Sequence, residues 1–292
     1  MKPFAFYTQG IAAGALPSTK DTRDVKDTTL SGVLPLSVNY DTHIDMIEVE
    51  HQKKIGICTS YLKSYVEYLY YLKTGKYTRL SAAFLYIVTK RYIDQNKYEG
   101  SSPRSALKAL MKYGVCRESV FPTNTDLTHE QFVTQDIPKE AFNDALSYRI
   151  GGYISIPTEQ SLMAYALDKY KLLYTRFELG EEWYTDINGK ITWDKNLILP
   201  LRGPKTVISG HAVLLSGYEI KDGTFKWKGR NSWSDAWADR GNFYGFSPYQ
   251  PTECWAITLE SVEPLKPTIS PTVNDGVLRA FLKVLRSIGV IK

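Results

Sequence analysis

HQKKIGICTSYLKSYVEYLYYLKTG, residues 51–75, sets a cysteine two places after a glycine and at the head of an apolar, tyrosine-rich run. From Cys58 onward the positions Tyr61, Leu62, Tyr65, Val66, Leu69 and Leu72 recur at helical spacing, and Gly75 follows where a left-handed stop residue is expected. The pattern predicts a helix with Cys58 near its N-terminus. A cysteine in that setting is either a small buried hydrophobe or a nucleophile whose thiolate the helix dipole favours. Partners elsewhere in the chain must decide between the two.

Outward from this stretch the first half continues helical. A second pattern starts near Ser81 (SAAFLYIVTKRYI), and a third takes Ser102 as N-cap and Pro103 in its first turn, runs through Ala106, Leu107, Leu110 and Met111, and stops at Gly114. The second half changes character. YISI, LLYTRFEL, HAVLLSGYEI, TFKWKGRN, GNFYGFS and CWAITLES are short, β-branched or aromatic, and separated by turn residues, which predicts an antiparallel sheet or barrel. Helices first and strands after define an α+β plan of two segregated lobes, with the cleft between them as the natural site.

The ends read differently. Residues 1–32 mix Gly, Ser, Thr and charge without periodicity and form an N-terminal extension, expected to pack along the body or the cleft. Residues 33–263 are the folded domain. Residues 264–292 are a Pro-containing linker followed by an amphipathic helix, with Leu278, Phe281, Leu282, Leu285 and Ile288 on one side and Arg279, Lys283 and Arg286 on another. That helix either docks on its own domain or serves as a protein-partner contact.

Composition excludes several classes. The 292 residues are 43% hydrophobic, enough for a sizeable core, and the net charge of +5 is spread too thinly to indicate nucleic acid. No run approaches the roughly 20 apolar residues of a membrane span. The start, MKPFAFYTQGIAAG, makes a poor secretory signal, which sets the expectation of a cytoplasmic or virion-associated protein. Cys58, Cys116 and Cys254 cannot all pair, and with His43, His51, His129 and His211 they form no metal-ligand spacing, so neither metal nor organic cofactor is expected. Cys116 and Cys254 read as buried filler, while His43, His51 and His129 read as solvated surface.

A nucleophilic Cys58 needs a base, a group orienting that base, and oxyanion donors. His211 opens a strand in SGHAVLLSGY, 153 residues on, and Asn231 lies in GRNSWSDAW, 173 residues on. These separations are close to those of papain-type enzymes.

Taken in order, LPLSVNYD, Gln52 six residues ahead of Cys58, Gly56 two ahead, LSAAFLY, GSSPRSALKALMKYGV, GHAVLLSGY and RNSWSDAWADRGNFYGF resemble the papain-like (C1 family) cysteine peptidases over roughly residues 33–263. The resemblance implies the papain-like two-lobe fold, a helical lobe and an antiparallel β-barrel lobe flanking the cleft. It implies a polypeptide substrate and hydrolysis through a thioester. It assigns Cys58 as nucleophile with a thiolate favoured by the imidazolium, His211 as proton carrier, Asn231 as the residue orienting its ring, and Gln52 as oxyanion donor. Trp233 would shield the Asn231–His211 bond from water. Substrate would be bound by Gly100 and Ser101, with Leu259 flooring an apolar specificity pocket. Two positions depart from the family: a cysteine is usual where Ile55 stands, and an aromatic where Thr59 stands. The missing disulfide brings the form closer to bacterial or viral members. Alternatives are a binding or structural component of a larger assembly such as a phage or viral particle, and an amidase or acyltransferase acting on cell-wall peptides.

Overall fold

A computed structural model of the chain describes residues 6–8, 11–40, 47–180, 183, 198–199, 204, 206–246 and 249–260. The chain divides into two compact units, Met1–Val262 and Glu263–Lys292, and every described residue belongs to the first. The expected C-terminal linker and helix, and His43, lie outside the described residues.

Local chemistry explains where the helices begin and end. A 3₁₀ segment, Cys58–Leu62, runs into α1 (Lys63–Thr74), and Gly75 ends it at φ 69°, in the left-handed region that costs glycine least. The Ser81 hydroxyl accepts the Phe84 N–H at 3.0 Å to start α2 (Ala82–Val88). Ser102 does the same for Ser105 at the head of α3 (Pro103–Tyr113), where Pro103 needs no N–H partner. Beyond Val88 the second helix widens into a π-helical turn, Thr89–Asp94. That turn sends the Lys90 ammonium inward to the Gly100 carbonyl at 2.8 Å, with Asp94 and Asn96 as its other acceptors. Three further helices, α4 (His129–Thr134), α5 (Lys139–Ala145) and α6 (Gln160–Tyr170), are absent from the sequence expectation.

The second half supplies most of the sheet. Two short N-terminal strands, β1 (Phe6–Thr8) and β2 (Ile11–Ala13), pair only with each other among the described residues. The main sheet contains β3 (Ser37–Asn39), β4 (Gly152–Ile156), β5 (Leu173–Leu179), β6 (Ile198–Leu199), β7 (Ser209–Lys221), β8 (Thr224–Arg230), β9 (Asn242–Phe246) and β10 (Glu253–Thr258). Its order is β4-β10-β5-β7-β8-β9-β6, with β3 added on β7, and every pairing but β6 with β9 is antiparallel. Strand β7 is the spine. Its first ten residues are buried, since it is covered on both faces.

Two apolar clusters result. One gathers α1, α2 and α3 around Tyr65, Phe84, Tyr86 and Leu107; the other lies on the sheet around Leu215, Phe177, Trp233 and Phe243. Cys58 belongs to the first and Trp233 to the second, so the seam between the clusters is where the predicted site residues must meet. This is the α+β, two-lobe architecture expected from the order of elements.

Candidate active site

The seam is closed by backbone contacts that carry His51 and Gln52 toward Trp233 and Ser232. His51 bridges Trp233, and the Gln52 N–H donates to the Ser232 carbonyl at 3.0 Å. The loop holding Gln52 is also anchored from below. Lys63, in the first turn of α1 and wholly buried, donates to Glu50 and, at 2.7 Å, to Glu67. The helix that follows Cys58 thereby grips the loop that presents Gln52. His51, expected on the solvated surface, is half-buried by this bridge, and its Nδ1 accepts the Lys53 N–H at 3.2 Å. His129 is also partly covered, its Nε2 lying 3.1 Å from the Tyr86 hydroxyl.

Within the seam His211 and Asn231 meet at 2.6 Å, Nε2 to Oδ1. Strand pairing brings them there, because β7 and β8 run side by side with Leu214 opposite Arg230. Asn231 Oδ1 also accepts the Ser232 N–H at 2.7 Å, which fixes the carboxamide with its oxygen toward the ring. An accepting oxygen makes Nε2 the protonated nitrogen, so in the neutral ring Nδ1 carries the free lone pair. Nδ1 has no hydrogen-bond partner among the described residues. Trp233 lies over the imidazole with ring centroids 4.7 Å apart and planes 31° apart, while Trp183 meets it edge-on at 6.0 Å. Both indoles are buried, so the His211–Asn231 bond is shut off from water.

Cys58 is wholly buried, and its sulfur is approached by the N–H groups of Ala212, Gly14 and Thr59. Ala212 is the neighbour of His211, which puts the thiol beside the imidazole's strand. Burial pushes the Cys58 thiol up from its ordinary value, outweighing the three N–H groups and the nearby Arg176 charge. Burial likewise lowers His211 to about 4, against the Asn231 hydrogen bond, which raises it. Burial in this closed site thus works against both charges of the thiolate–imidazolium pair expected from the sequence, because neither is hydrated.

What closes the site is the N-terminal extension. Ala12, Ala13 and Ala15 are at most 2% exposed, although the sequence places them in an aperiodic stretch. The Ala12 N–H donates to the Lys53 carbonyl at 2.9 Å, and the Ala12 carbonyl accepts the Gln52 side-chain amide at 2.8 Å. Ser232 Oγ holds the other end of that amide at 2.6 Å, turning Nε2 toward the extension. Gly14 and Leu16 bracket Ser101: the Gly14 carbonyl accepts the Ser101 N–H at 2.9 Å and the Leu16 N–H donates to the Ser101 carbonyl at 2.8 Å. The Ala15 N–H donates to Gly210 at 2.9 Å, and its carbonyl accepts from Arg176 Nε at 2.9 Å. We call residues 12–18 the strap.

Gly14 shows how tight the fit is. A Cβ there would lie 2.3 Å from the Gly56 carbonyl oxygen, and one on Gly100, at φ 86°, would lie 2.6 Å from the Gly14 carbonyl oxygen. Further along, Ser18 donates its N–H to Glu253 and accepts the Arg104 N–H, and Arg104 pairs with Asp24 in a half-lit recess where each side chain is 9% exposed.

The structure thus brings Cys58, His211, Asn231, Gln52 and Trp233 to one seam, and sets Gly100 and Ser101 against the strap. Leu259 is not brought there. It follows the far end of β10, where Thr258 pairs with Gly152, whereas the strap end of that strand is Glu253, opposite Arg176. At about 3.3 Å per residue, some 17 Å of strand separates the two ends. Ser232, Trp183 and Arg176 escaped the sequence reading, of which Ser232 alone had a signal, standing between Asn231 and Trp233; the extension was expected along the body or the cleft, without the residues that seat it.

An extended-peptide edge, a buried thiol, and an imidazole oriented by a carboxamide define a two-lobe thiol-peptidase scaffold. The model of the papain family cysteine proteases matches residues 34–254, and the chain belongs to that family. Cathepsin J of Mus musculus is 23% identical over 198 residues, 66% of this chain and 54% of its own, so the chain spans about half the length of that curated relative. Among solved structures, xylellain, a cysteine protease from Xylella fastidiosa, is 22% identical with a TM-score of 0.73, covering 90% of this chain and 98% of its own. Digestive procathepsin L 3 of Tenebrio molitor larval midgut gives 20% and 0.62 over 86% and 75% of the two chains. At these identities the structural likeness speaks for the fold.

Proposed function

We propose that the chain is a cysteine endopeptidase that the strap holds latent. The observation that carries this reading is the strap itself: a stretch of polypeptide lies extended in the cleft, hydrogen-bonded along Ser101, Gly210, Lys53 and Gln52. It enters past Gln52 and continues beyond Ser101 to Ser18, so the groove is open at both ends and accommodates the interior of a chain. A groove of that form suits cleavage of internal bonds.

The strap escapes cleavage because of its direction. It pairs with Ser101 in parallel, and this turns the Gly14 carbonyl to Ser101 and the Gly14 N–H to the sulfur. A hydrogen-bond donor at Sγ offers no electrophilic carbon. A substrate in the opposite sense presents its carbonyl carbon instead. With the strap displaced and water admitted, the desolvation that works against both charges is relieved, and Nδ1 takes the thiol proton. Sγ then attacks the carbonyl carbon, and the Gln52 amide, released from Ala12, binds the oxyanion. His211 passes its proton to the departing amine, leaving a thioester on Cys58. Water, deprotonated by the same imidazole, releases the acid and restores the thiol.

The test compares the full chain with its Gly14→Leu variant, which cannot seat the strap. Both are treated with an epoxysuccinyl inactivator and offered a fluorogenic peptide library. The expected result is slow alkylation of Cys58 in the parent, fast alkylation and peptide cleavage in Gly14→Leu, and neither in the Gly14→Leu/Cys58→Ser double variant. No alkylation and no cleavage in Gly14→Leu, with its fold intact by circular dichroism, would refute the reading. Alkylation without cleavage of any peptide would favour acyl transfer.

A further inference from the structure

Lys90, in the π-helical turn that continues α2, carries a buried amine that the chemistry of the cleft leaves unused. The residue is 1% exposed, and its Nζ meets three acceptors: Asn96 Oδ1 at 2.7 Å, the Gly100 carbonyl at 2.8 Å and the Asp94 carboxylate at 3.0 Å. Three acceptors around one nitrogen call for three N–H donors, so the group is held as an ammonium. The backbone leaves regular helix to hold it there. Thr89–Asp94 is wound as a π-helical turn, Gln95 follows at φ 51°, and the Asn96 N–H returns to the Lys90 carbonyl at 3.3 Å. A charge taken out of water is costly, and helices α1 and α3 of the same lobe end at Gly75 and Gly114 without one.

The Gly100 carbonyl gives this ammonium a role. That oxygen and the Ser101 N–H belong to one planar amide, so electron density drawn toward the oxygen leaves the N–H a stronger donor on the opposite side. The Ser101 N–H is the group that takes the Gly14 carbonyl of the strap at 2.9 Å. A charge-assisted bond from Lys90 on one side of the amide therefore reinforces a neutral bond to peptide on the other. Orientation is fixed together with polarity. The Gly100 N–H donates to the Tyr86 hydroxyl at 2.9 Å, that hydroxyl lies 3.1 Å from His129 Nε2, and Gly100 itself takes φ 86°. With its N–H and its carbonyl both held from the helical side, Gly100 keeps the Ser101 N–H turned to the strap.

We propose that Lys90 is a positioning residue for peptide binding: its ammonium, acting through the Gly100–Ser101 amide, orients and strengthens the N–H that grips a substrate carbonyl on the helical wall of the cleft. This rests on the endopeptidase reading. The grip lies beside the reacting atoms, since the strap residue opposite Ser101 is Ala15, one along from the residue whose N–H approaches the sulfur. Such a contact is made equally in the bound substrate and in the transition state, so it acts on KM and leaves kcat nearly alone.

The experiment uses the full chain carrying Gly14→Leu, with and without Lys90→Met, and two substrates. One is the best fluorogenic peptide of the library, long enough to pass Ser101; the other is p-nitrophenyl acetate, which reaches Cys58 but is too short to meet Ser101. Losing the polarising charge leads us to expect a peptide KM about five- to tenfold higher, with kcat and the rate on the acetate ester each within about twofold of the parent. In the chain without Gly14→Leu, Lys90→Met should also move the Ser101 amide proton upfield. The Leu16 amide, which donates to the Ser101 carbonyl across the next peptide group, should move far less. A lysine that only holds its turn together would harm peptide and ester alike. An unchanged peptide KM, a loss carried by kcat, an equal loss on the ester or an unmoved Ser101 amide would overturn the proposal while leaving the peptidase reading intact. Should Lys90→Met fail to fold, Lys90→Met/Asp94→Asn removes the carboxylate it strands, and the same outcomes decide. Failure of peptide and ester in Gly14→Leu, together with failure of the epoxide to label Cys58, would instead defeat the peptidase reading, and the proposal with it.

Discussion

At the scale of single residues, the site is defined less by its charged groups than by which atoms are already engaged. Asn231 spends its oxygen on His211 and the Ser232 N–H, and in doing so sets the imidazole tautomer. Ser232 holds the oxygen of the Gln52 carboxamide, leaving Nε2 to face whatever carbonyl lies in the cleft. In the closed chain that carbonyl is Ala12; in the proposed turnover cycle it is the oxyanion. Gln52→Ala removes a donor that serves both, so two effects with opposite signs are expected. In the Gly14→Leu background, kcat should fall by about 10²–10³ with KM little changed. In the otherwise unmodified chain, loss of one neutral hydrogen bond to the strap should speed epoxide alkylation of Cys58 several-fold, about what 1 kcal/mol gives. Equal kcat with and without the amide would remove Gln52 from the oxyanion role. The residues of this network were visible in the sequence as an ordered series, because each has a rare side-chain chemistry at a fixed distance from Cys58. Arg176 was hidden for the opposite reason. In LLYTRFEL it resembles an outward-facing polar position, but β5 is covered on both faces, and its alternate residues point to the core and to the cleft.

At the scale of elements, starts and stops were legible and function of the ends was not. Ser81, Ser102, Pro103, Gly75 and Gly114 act through their own backbone chemistry, so their meaning is local and readable. Helices α4 and α5 are short, although a capping box between Thr128 and Gln131 starts α4, and α6, as long as α3, has no side-chain cap at its start to announce it. The strap has no periodicity because it belongs to neither a helix nor a half-buried sheet; small residues in QGIAAGA fit where a Cβ on Gly14 would strike Gly56. Its hold on the cleft depends on pH through the two groups it buries. In a Cys58→Ser chain, whose open form has no thiolate to pair with the imidazole, His211 falls from an ordinary 6.5 to about 4 when covered, so closure is fully favoured above 6.5 and is lost progressively as pH falls from 6.5 toward 4. Cys58 is shifted up from 9.0, so closure also weakens as pH rises past 9.0. Asp21 and Asp27 take no part in that range: Arg23 holds the first carboxyl well below the carboxylate norm, and Lys169, Thr29 and Tyr170 hold the second there against the opposing effect of burial. In Cys58→Ser, hydrogen exchange at the Gly14, Ala15 and Leu16 amides, corrected for intrinsic rates, should show protection up to about thirtyfold weaker at pH 5 than at pH 7.5. His211→Gln should flatten that dependence, and a profile unchanged by the substitution would assign it elsewhere.

At the scale of the whole molecule, two apolar clusters are joined along one seam, and the seam is where charge is buried. Lys63, Glu50 and Glu67 form a covered triad in which burial dominates: it lifts Glu67 to about 7, while the two carboxylates keep Lys63 firmly protonated. Removing the cation alone leaves Glu67 buried without a charged partner and Glu50 with only the half-exposed Arg79. Lys63→Met is expected to destabilise the fold by about 3–5 kcal/mol in urea unfolding at pH 7.5, while Lys63→Met/Glu67→Gln recovers part of the loss. A loss below about 1 kcal/mol would mean the recess is hydrated and the loop carrying Gln52 is held by other means. The tether between the strap and the body has a kinetic consequence of its own. An occupant on the same chain is present at an effective concentration of order millimolar whatever the amount of protein in solution. Under the proposed latency, dilution therefore does not wake the enzyme, and two copies cannot relieve each other by exchange at low abundance. Only an event that unseats the peptide, or a competitor abundant enough to rival that local concentration, would start turnover.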